Sequence, residues 1–183
     1  QTNVYNYFNV INVLACSGLI LFSKPMAKIL FSKNFFDAWK YVPFLLIAYL
    51  FAGLAGFLAS SFRAAKYTSG LLSSTAWGAV VNIVLNLLFV KLFGNLGAAF
   101  TTLLGFAITF YIRSKTVKKV VDLKTNLLKD TFIYMILMLQ ACVITFECPY
   151  KYFVGTILFV AIVCLYYKYI INIFKFFGNC SEP

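Results

Sequence analysis

The side chains of this 183-residue sequence that could carry chemistry are mainly basic and amide groups. Lys24 and Lys28 lie one helical turn apart on either side of Pro25, where an apolar stretch ends, and Arg63 ends the next apolar stretch. Cations at such positions snorkel to the membrane surface, pair with an acid, or line an aqueous cavity that accepts an anion. Lys24, Lys28 and Arg63 are therefore candidates for the pathway of an anionic substrate.

Two asparagines are the next candidates, because they belong to a row of small and polar residues that recur every four positions and lie on one helix face. Such a row lets a neighbouring helix approach closely, and its amides bond across an interface or line a watery cavity. Both interpretations stay open for Asn82 and Asn86, which we include in the substrate pathway. The residues predicted to pack helices closely are Ala52, Gly56, Ser60, Gly70, Ser74, Gly78 and Gly97.

The remaining residue types exclude several chemistries. The chain has no histidine, and its five cysteines lack metal-ligand spacing, so zinc sites, Ser-His-Asp triads and Cys-His dyads are ruled out within it. No second carboxylate lies in sequence reach of Asp37 or Glu147, and no carboxylate falls inside an apolar stretch to couple transport to protons or cations. We expect no enzymatic activity, no cofactor and no metal.

Membrane-spanning helices must position these residues. The chain is 62% apolar and 11% charged, with a mean hydropathy of +0.88, whereas a soluble domain has about 45–50% apolar and about 25% charged residues. Crossing the bilayer takes about 20 apolar residues in a helix. The sequence predicts an all-α membrane protein with about six transmembrane helices. They cover residues 7–22, 41–62, 67–90, 96–112, 131–146 and 152–167, the last reaching 174 if Lys168 snorkels.

The positive charges predict an orientation. Ten Lys and Arg residues flank one side of the six spans and six flank the other, so the positive-inside rule places both termini in the cytoplasm. Residues 1–115 form a predicted four-helix part, residues 116–130 a basic cytoplasmic linker, and residues 131–183 two further helices with a short tail. The linker has no aromatic residues between its cations, which suits anionic lipid rather than nucleic acid.

Two blocks of sequence resemble a known family. The first is LFSKP at residues 21–25 with KNFFDAWKYVP at 33–43, and the second is GAVVNIVLNLL at 78–88 with FGNLGAAFTT at 93–102. In order and spacing they resemble segments of the polysaccharide-biosynthesis membrane proteins, the Wzx-type O-antigen flippases. These belong to the multidrug/oligosaccharidyl-lipid/polysaccharide exporter superfamily. The resemblance covers roughly residues 15–115.

The resemblance implies that the chain forms most of the C-terminal lobe of a two-lobe transporter of twelve to fourteen helices. It implies a flippase that moves undecaprenyl-pyrophosphate-linked oligosaccharide or polysaccharide repeat units, the precursors of lipopolysaccharide and related polymers, across the bacterial cytoplasmic membrane. Membrane lipids, the polysaccharide polymerase and glycosyltransferases would be its partners. Two alternatives stay open. One is a multidrug or organic-cation antiporter of the same superfamily, and the other is a non-transporting membrane scaffold for polysaccharide assembly.

Overall fold

The described part of the chain is helical throughout. A computed structural model describes residues 2–118, 127–146 and 150–179, so residues 119–126 of the predicted linker lie outside the described residues. A 3₁₀ helix, Lys33–Lys40, lies between the second and third α-helices. The α-helices are α1 (Thr2–Leu21), α2 (Ser23–Leu30), α3 (Val42–Ala64), α4 (Thr68–Val117), α5 (Leu127–Thr145) and α6 (Lys151–Asn179).

Four of the described helices are long and apolar enough to cross a membrane, namely α1, α3, α4 and residues 151–169 of α6. The chain is thus an all-α membrane protein, as the sequence predicts. The 50 residues of α4 are enough for two crossings. Because α5 is not among the four, the number of six spans stays a prediction.

The described helices form two compact units. One unit contains α1 together with α5 and α6, and the other contains α2, the 3₁₀ helix, α3 and α4. The predicted parts, residues 1–115 and 131–183, are continuous in the sequence. In the structure α1, from the first of these parts, packs with α5 and α6 instead.

A buried amide holds the unit of α1, α5 and α6 together. Ser17 donates a hydrogen bond from Oγ to Oε1 of Gln140 at 2.6 Å, and Gln140 Nε2 donates to the backbone oxygens of Ser17 and Gly155, at 3.3 Å each. Gln140 is fully buried. Its side chain therefore links all three helices with its donor and acceptor capacity satisfied, as an amide in an apolar interior requires.

The unit of α2 to α4 turns sharply after α3. The backbone N–H of Tyr67 donates to the carbonyl of Phe62 at 3.0 Å across Lys66, which has a positive φ of 55°, and the rings of Phe62 and Tyr67 lie 6.1 Å apart. This is a Schellman termination with its usual hydrophobic contact, although Lys stands where Gly is common. The turn sends α4 back along α3.

The helix α4 is a hairpin rather than one straight rod. Its backbone leaves the helical region at Gly94, where φ is +58° and ψ is −135°, a conformation that suits a residue without Cβ. We call residues 68–93 the first arm and residues 95–117 the second arm. Phe89 and Phe100 stack across the bend with ring centroids 6.1 Å apart, so the arms are antiparallel. The break falls in the short segment, residues 91–95, that separates the third and fourth predicted spans.

Candidate functional site

The two arms of α4 cross closely at a point where neither has a side chain. A Cβ added to Gly78 in the first arm would collide with Thr109 Oγ1 and would lie 2.8 Å from the carbonyl oxygen of Gly105 in the second arm. Thr109 donates its hydroxyl to that same carbonyl at 2.9 Å. Backbones can come this close only at glycine, which explains why the small residues of the row face the second arm.

Arg113 occupies the space next to this crossing. Its Nε donates to Ser74 Oγ at 3.0 Å, its Nη2 donates to Thr75 Oγ1 at 2.7 Å, and its Nη1 donates to the backbone oxygen of Ala55 at 2.8 Å. The guanidinium therefore joins the first arm, the second arm and α3. Arg113 is only 8% exposed.

The guanidinium of Arg113 lies deep in the helical bundle rather than at its end. Ala55 precedes the last residue of α3, Ala64, by nine positions, which is about 13 Å along a helix axis. Arg113 itself lies in the last turns of α4, and helical side chains lean toward the N-terminus of their own helix. Its long side chain is therefore directed back into the bundle. Hydropathy places Arg113 only at the end of the predicted fourth span, whereas the structure gives its guanidinium three partners inside the protein.

A groove with a volume of about 400 Å³ leads to Arg113 from the surface. Gly56 on α3 and Thr75, Ala79 and Ile83 on the first arm are exposed, so the groove opens between these two helices. Its walls are made mostly of small residues and carry four polar side chains. Those polar side chains are Thr75, Asn82, Thr109 and Arg113.

The charge of Arg113 has no counter-ion in the described part of the chain. The described carboxylates offer no oxygen within 4.0 Å of its guanidinium, and the ion pair that they do form joins Asp37 to Lys40 at 3.0 Å. A guanidinium has five N–H donors, of which Arg113 uses three. One N–H remains on each terminal nitrogen. A cation with two remaining donors in a mostly apolar groove is chemically suited to bind an oxyanion.

The structure brings one of the predicted pathway residues to the groove. Asn82 lines it. Asn86 lies one turn farther along the first arm, where its Nδ2 donates to Oδ1 of Asn82 at 2.5 Å and so orients the Asn82 amide. Arg63 is exposed and does not line the groove. Lys28 is exposed on α2, and Lys24 has its Nζ 4.7 Å from the ring centroid of Trp39. Neither lysine lines the groove.

The predicted packing residues have two different surroundings. Gly70, Ser74, Gly78 and Gly97 are buried within α4, and a Cβ at Gly97 would collide with the backbone oxygen of Phe89. The predicted packing residues on α3 differ. Gly56 and Ser60 are exposed, and Ala52 lines the groove. Nothing lies within 4 Å of a Cβ added to Gly56. In this chain the small residues of α3 leave room for the groove.

A buried carboxylate in the other unit was also missed by the sequence reasoning. Asp130 lies in the first turn of α5 and is only 7% exposed. Tyr166 OH lies 3.5 Å from Asp130 Oδ1 and accepts from Asn9 Nδ2 at 3.4 Å, and Tyr134 OH donates to Asn9 Oδ1 at 2.9 Å. Asp130 precedes the predicted fifth span, so no carboxylate falls inside that apolar stretch. Asp130 is nevertheless buried, because α5 begins at Leu127, before the apolar stretch does.

Comparison of the chain with models of protein families, with curated proteins and with solved structures finds no match. The groove and the buried Arg113 are the features of the described residues that point to a function. One sequence signal could have drawn attention to Arg113. It is the cation that ends the predicted fourth span, and it lies two helical turns beyond Gly105, which faces the small row of the first arm.

Proposed function

We propose that this chain is part of a membrane flippase that moves undecaprenyl-pyrophosphate-linked oligosaccharide or polysaccharide repeat units across the bacterial cytoplasmic membrane. The observation that carries the proposal is Arg113, a buried cation without a described carboxylate partner that lines a groove between helices. The chain would act by transport, without chemical conversion of its substrate. Both of its termini would lie in the cytoplasm.

The energetics of Arg113 favour an anionic ligand. A charged side chain within the bilayer costs about 2.5–3.5 kcal/mol on insertion scales and is typically associated with a substrate or ion pathway. The three hydrogen bonds of Arg113 go to neutral oxygens, which leave its net charge uncompensated. A pyrophosphate would supply the missing negative charge and accept the two remaining N–H donors in the bidentate manner that guanidinium groups favour.

The rest of the groove suits the groups attached to the pyrophosphate, namely the isoprenoid chain and the sugars. Small side chains on α3 and on the first arm leave space for a chain of isoprene units, and Asn82 offers an amide to a polar group. A volume of about 400 Å³ lies within the usual range for ligand pockets, which is about 300–1,000 Å³. It could hold the headgroup region and only part of the lipid.

The family resemblance supports the same proposal. The second similar block, within residues 78–102, contains Gly78 of the close crossing and the bend of the α4 hairpin. In a two-lobe transporter this chain would be most of the C-terminal lobe, and its substrate would pass between the lobes. The polymerase and the glycosyltransferases that make the polysaccharide would be functional partners, and nucleic acid would not.

A second candidate is a multidrug or organic-cation antiporter of the same superfamily, and Asp130 favours it. Antiport of cations commonly depends on an ionisable acid inside the helical bundle, and Asp130 is buried beside the hydroxyl of Tyr166. We rank this candidate second because the groove contains Arg113, which would repel a cationic substrate. The non-transporting scaffold is a third candidate.

The proposal is tested by substituting Arg113→Gln in the full-length protein, in cells whose polysaccharide export depends on it. We expect export to fall by at least about tenfold, since loss of a desolvated charge contact costs about 2–5 kcal/mol. Lipid-linked repeat units should accumulate on the cytoplasmic side of the membrane. The matched control is Arg63→Gln, which removes the same group from an exposed position and should leave export unchanged.

Further variants separate the candidates. The sequence alone favours Lys24, Lys28 and Arg63 as the cations of the pathway. If the triple substitution of these residues to Gln leaves export unchanged while Arg113→Gln reduces it, Arg113 is the cation of the pathway and those three are not. If Asp130→Asn abolishes efflux of organic cations and Arg113→Gln does not, the antiporter is the correct candidate. If export tolerates Arg113→Gln while protein levels are normal, the flippase proposal fails. If efflux of organic cations also tolerates Asp130→Asn, the scaffold is the candidate that remains.

A further inference from the structure

The segment between α1 and α3 is built differently from the spans on either side of it. The helix α2 is only eight residues long, and the chain is extended at Phe31 and Ser32 before the 3₁₀ helix begins. Extended backbone cannot satisfy its own N–H and C=O groups, so it does not lie against the hydrocarbon of a bilayer. Since α1 and α3 are both long and apolar enough to span, this segment lies at a membrane surface.

Large apolar side chains in the same segment face outward. Ile29 is 85% exposed and Leu30 is 68% exposed, and Phe31 after them is also exposed. Burying one such side chain contributes about 1.5–3 kcal/mol, so exposure of this group to water would be unfavourable. The boundary between headgroups and acyl chains would cover these side chains without requiring the extended backbone to leave the polar region.

Cations flank the apolar group at both ends. Lys28 precedes it and Lys33 follows it, and both are exposed. The segment from residue 22 to residue 41 has four lysines and a single acid, Asp37, which forms its ion pair with Lys40 at 3.0 Å. Lys24 lies over the buried ring of Trp39, at 4.7 Å from its centroid. Lys28 and Lys33 thus present their charge outward.

We propose that residues 28–33 form an interfacial anchor that binds acidic phospholipids. Ile29, Leu30 and Phe31 insert at the acyl boundary, while the ammonium groups of Lys28 and Lys33 contact the anionic headgroups beside them. The occupant is the lipid surface, because the charge is complementary to it and the segment is continuous with two membrane helices. This anchor is independent of the groove at Arg113 and of the proposed transport.

Tryptophan quenching by brominated lipid tests the anchor. The full chain is placed in nanodiscs of equal parts phosphatidylcholine and phosphatidylglycerol, with brominated acyl chains on one lipid at a time. The tryptophan fluorescence of an Ile29→Trp variant, after subtraction of the fluorescence of the parent protein, reports which lipid lies beside position 29. We expect brominated phosphatidylglycerol to quench at least about twofold more than brominated phosphatidylcholine, because basic residues near a membrane enrich acidic lipid.

Two controls accompany this measurement. Lys28→Gln with Lys33→Gln in the same variant should make the two brominated lipids quench equally. Val84→Trp, at an exposed apolar position of the first arm outside the groove, should be quenched equally from the start. Equal quenching at position 29 with both lysines present would overturn the proposal. Absence of quenching by either lipid would also overturn it, because position 29 would then face water or a protein partner.

Discussion

Replacing Arg113 with Met should leave the free energy of unfolding unchanged within about 1 kcal/mol, or raise it, because the substitution removes a buried charge that no described acid compensates. The acceptors left behind keep other partners. Ser74 and Thr75 each donate their hydroxyl to the carbonyl of Leu71, and Ala55 lies inside α3, where helical hydrogen bonding uses its carbonyl. Met fills a similar length without a charge.

This expectation separates a functional arginine from a structural one. Unfolding of the purified chain in mixed micelles by a denaturing detergent measures the effect, and Arg63→Met is the matched control at an exposed position. A loss of more than about 2 kcal/mol in Arg113→Met, in the range of a broken buried network, would make Arg113 a structural link between helices. The charge of Arg113 would then no longer indicate that the groove binds a ligand.

Two glycine substitutions should have effects of opposite sign. Gly78→Ala should destabilise the chain by about 1–3 kcal/mol, because overpacking forces a backbone shift. The new Cβ would collide with Thr109 Oγ1, which can rotate, but it would also lie 2.8 Å from the backbone oxygen of Gly105, which cannot move without the second arm. The arms of the α4 hairpin would have to separate.

The matched control for Gly78→Ala is Gly56→Ala on α3. Nothing lies within 4 Å of a Cβ at position 56, and Ala is favoured over Gly in a helix by about 0.8–1.0 kcal/mol. Gly56→Ala should therefore be neutral or stabilising in the same unfolding measurement. Equal destabilisation by both substitutions would contradict the close crossing of the arms and the open groove at α3.

The all-α membrane class and the bend of α4 could be predicted from the sequence, because both are local properties. A long apolar stretch needs helical hydrogen bonding in lipid, and a short segment with Gly94 between two such stretches suits a reversal of the chain. The face of the first arm that meets its neighbour could also be predicted, from the four-residue repeat of small residues.

The candidate site could not be predicted, because it depends on contacts between residues distant in sequence. Ser74 and Arg113 are 39 positions apart, and only the antiparallel hairpin brings them together. A cation at the end of an apolar stretch can snorkel outward or point inward, and its direction depends on the acceptors that neighbouring helices offer. Arg113 finds Ser74, Thr75 and Ala55 inside the bundle. Arg63, in the last turn of α3, is exposed.

Asp130 shows the same difficulty at a helix start. Counting apolar residues begins the fifth span at Thr131 and leaves Asp130 outside. The helix begins at Leu127, and burial of Asp130 depends on Asn9 and Tyr166, from the two ends of the chain. Hydropathy describes the average environment of a stretch, whereas burial of a single polar group at its end depends on tertiary partners.

The most direct test of the anion site is binding of farnesyl pyrophosphate, a short prenyl pyrophosphate, to the purified chain in nanodiscs of neutral lipid. Farnesol, which lacks the anion, serves as the comparison ligand. We expect the pyrophosphate to bind much more tightly than farnesol, Arg113→Met to weaken it by about thirtyfold or more, and Arg63→Met to leave it unchanged. Equal affinity of the wild-type chain and Arg113→Met for the pyrophosphate would contradict the account.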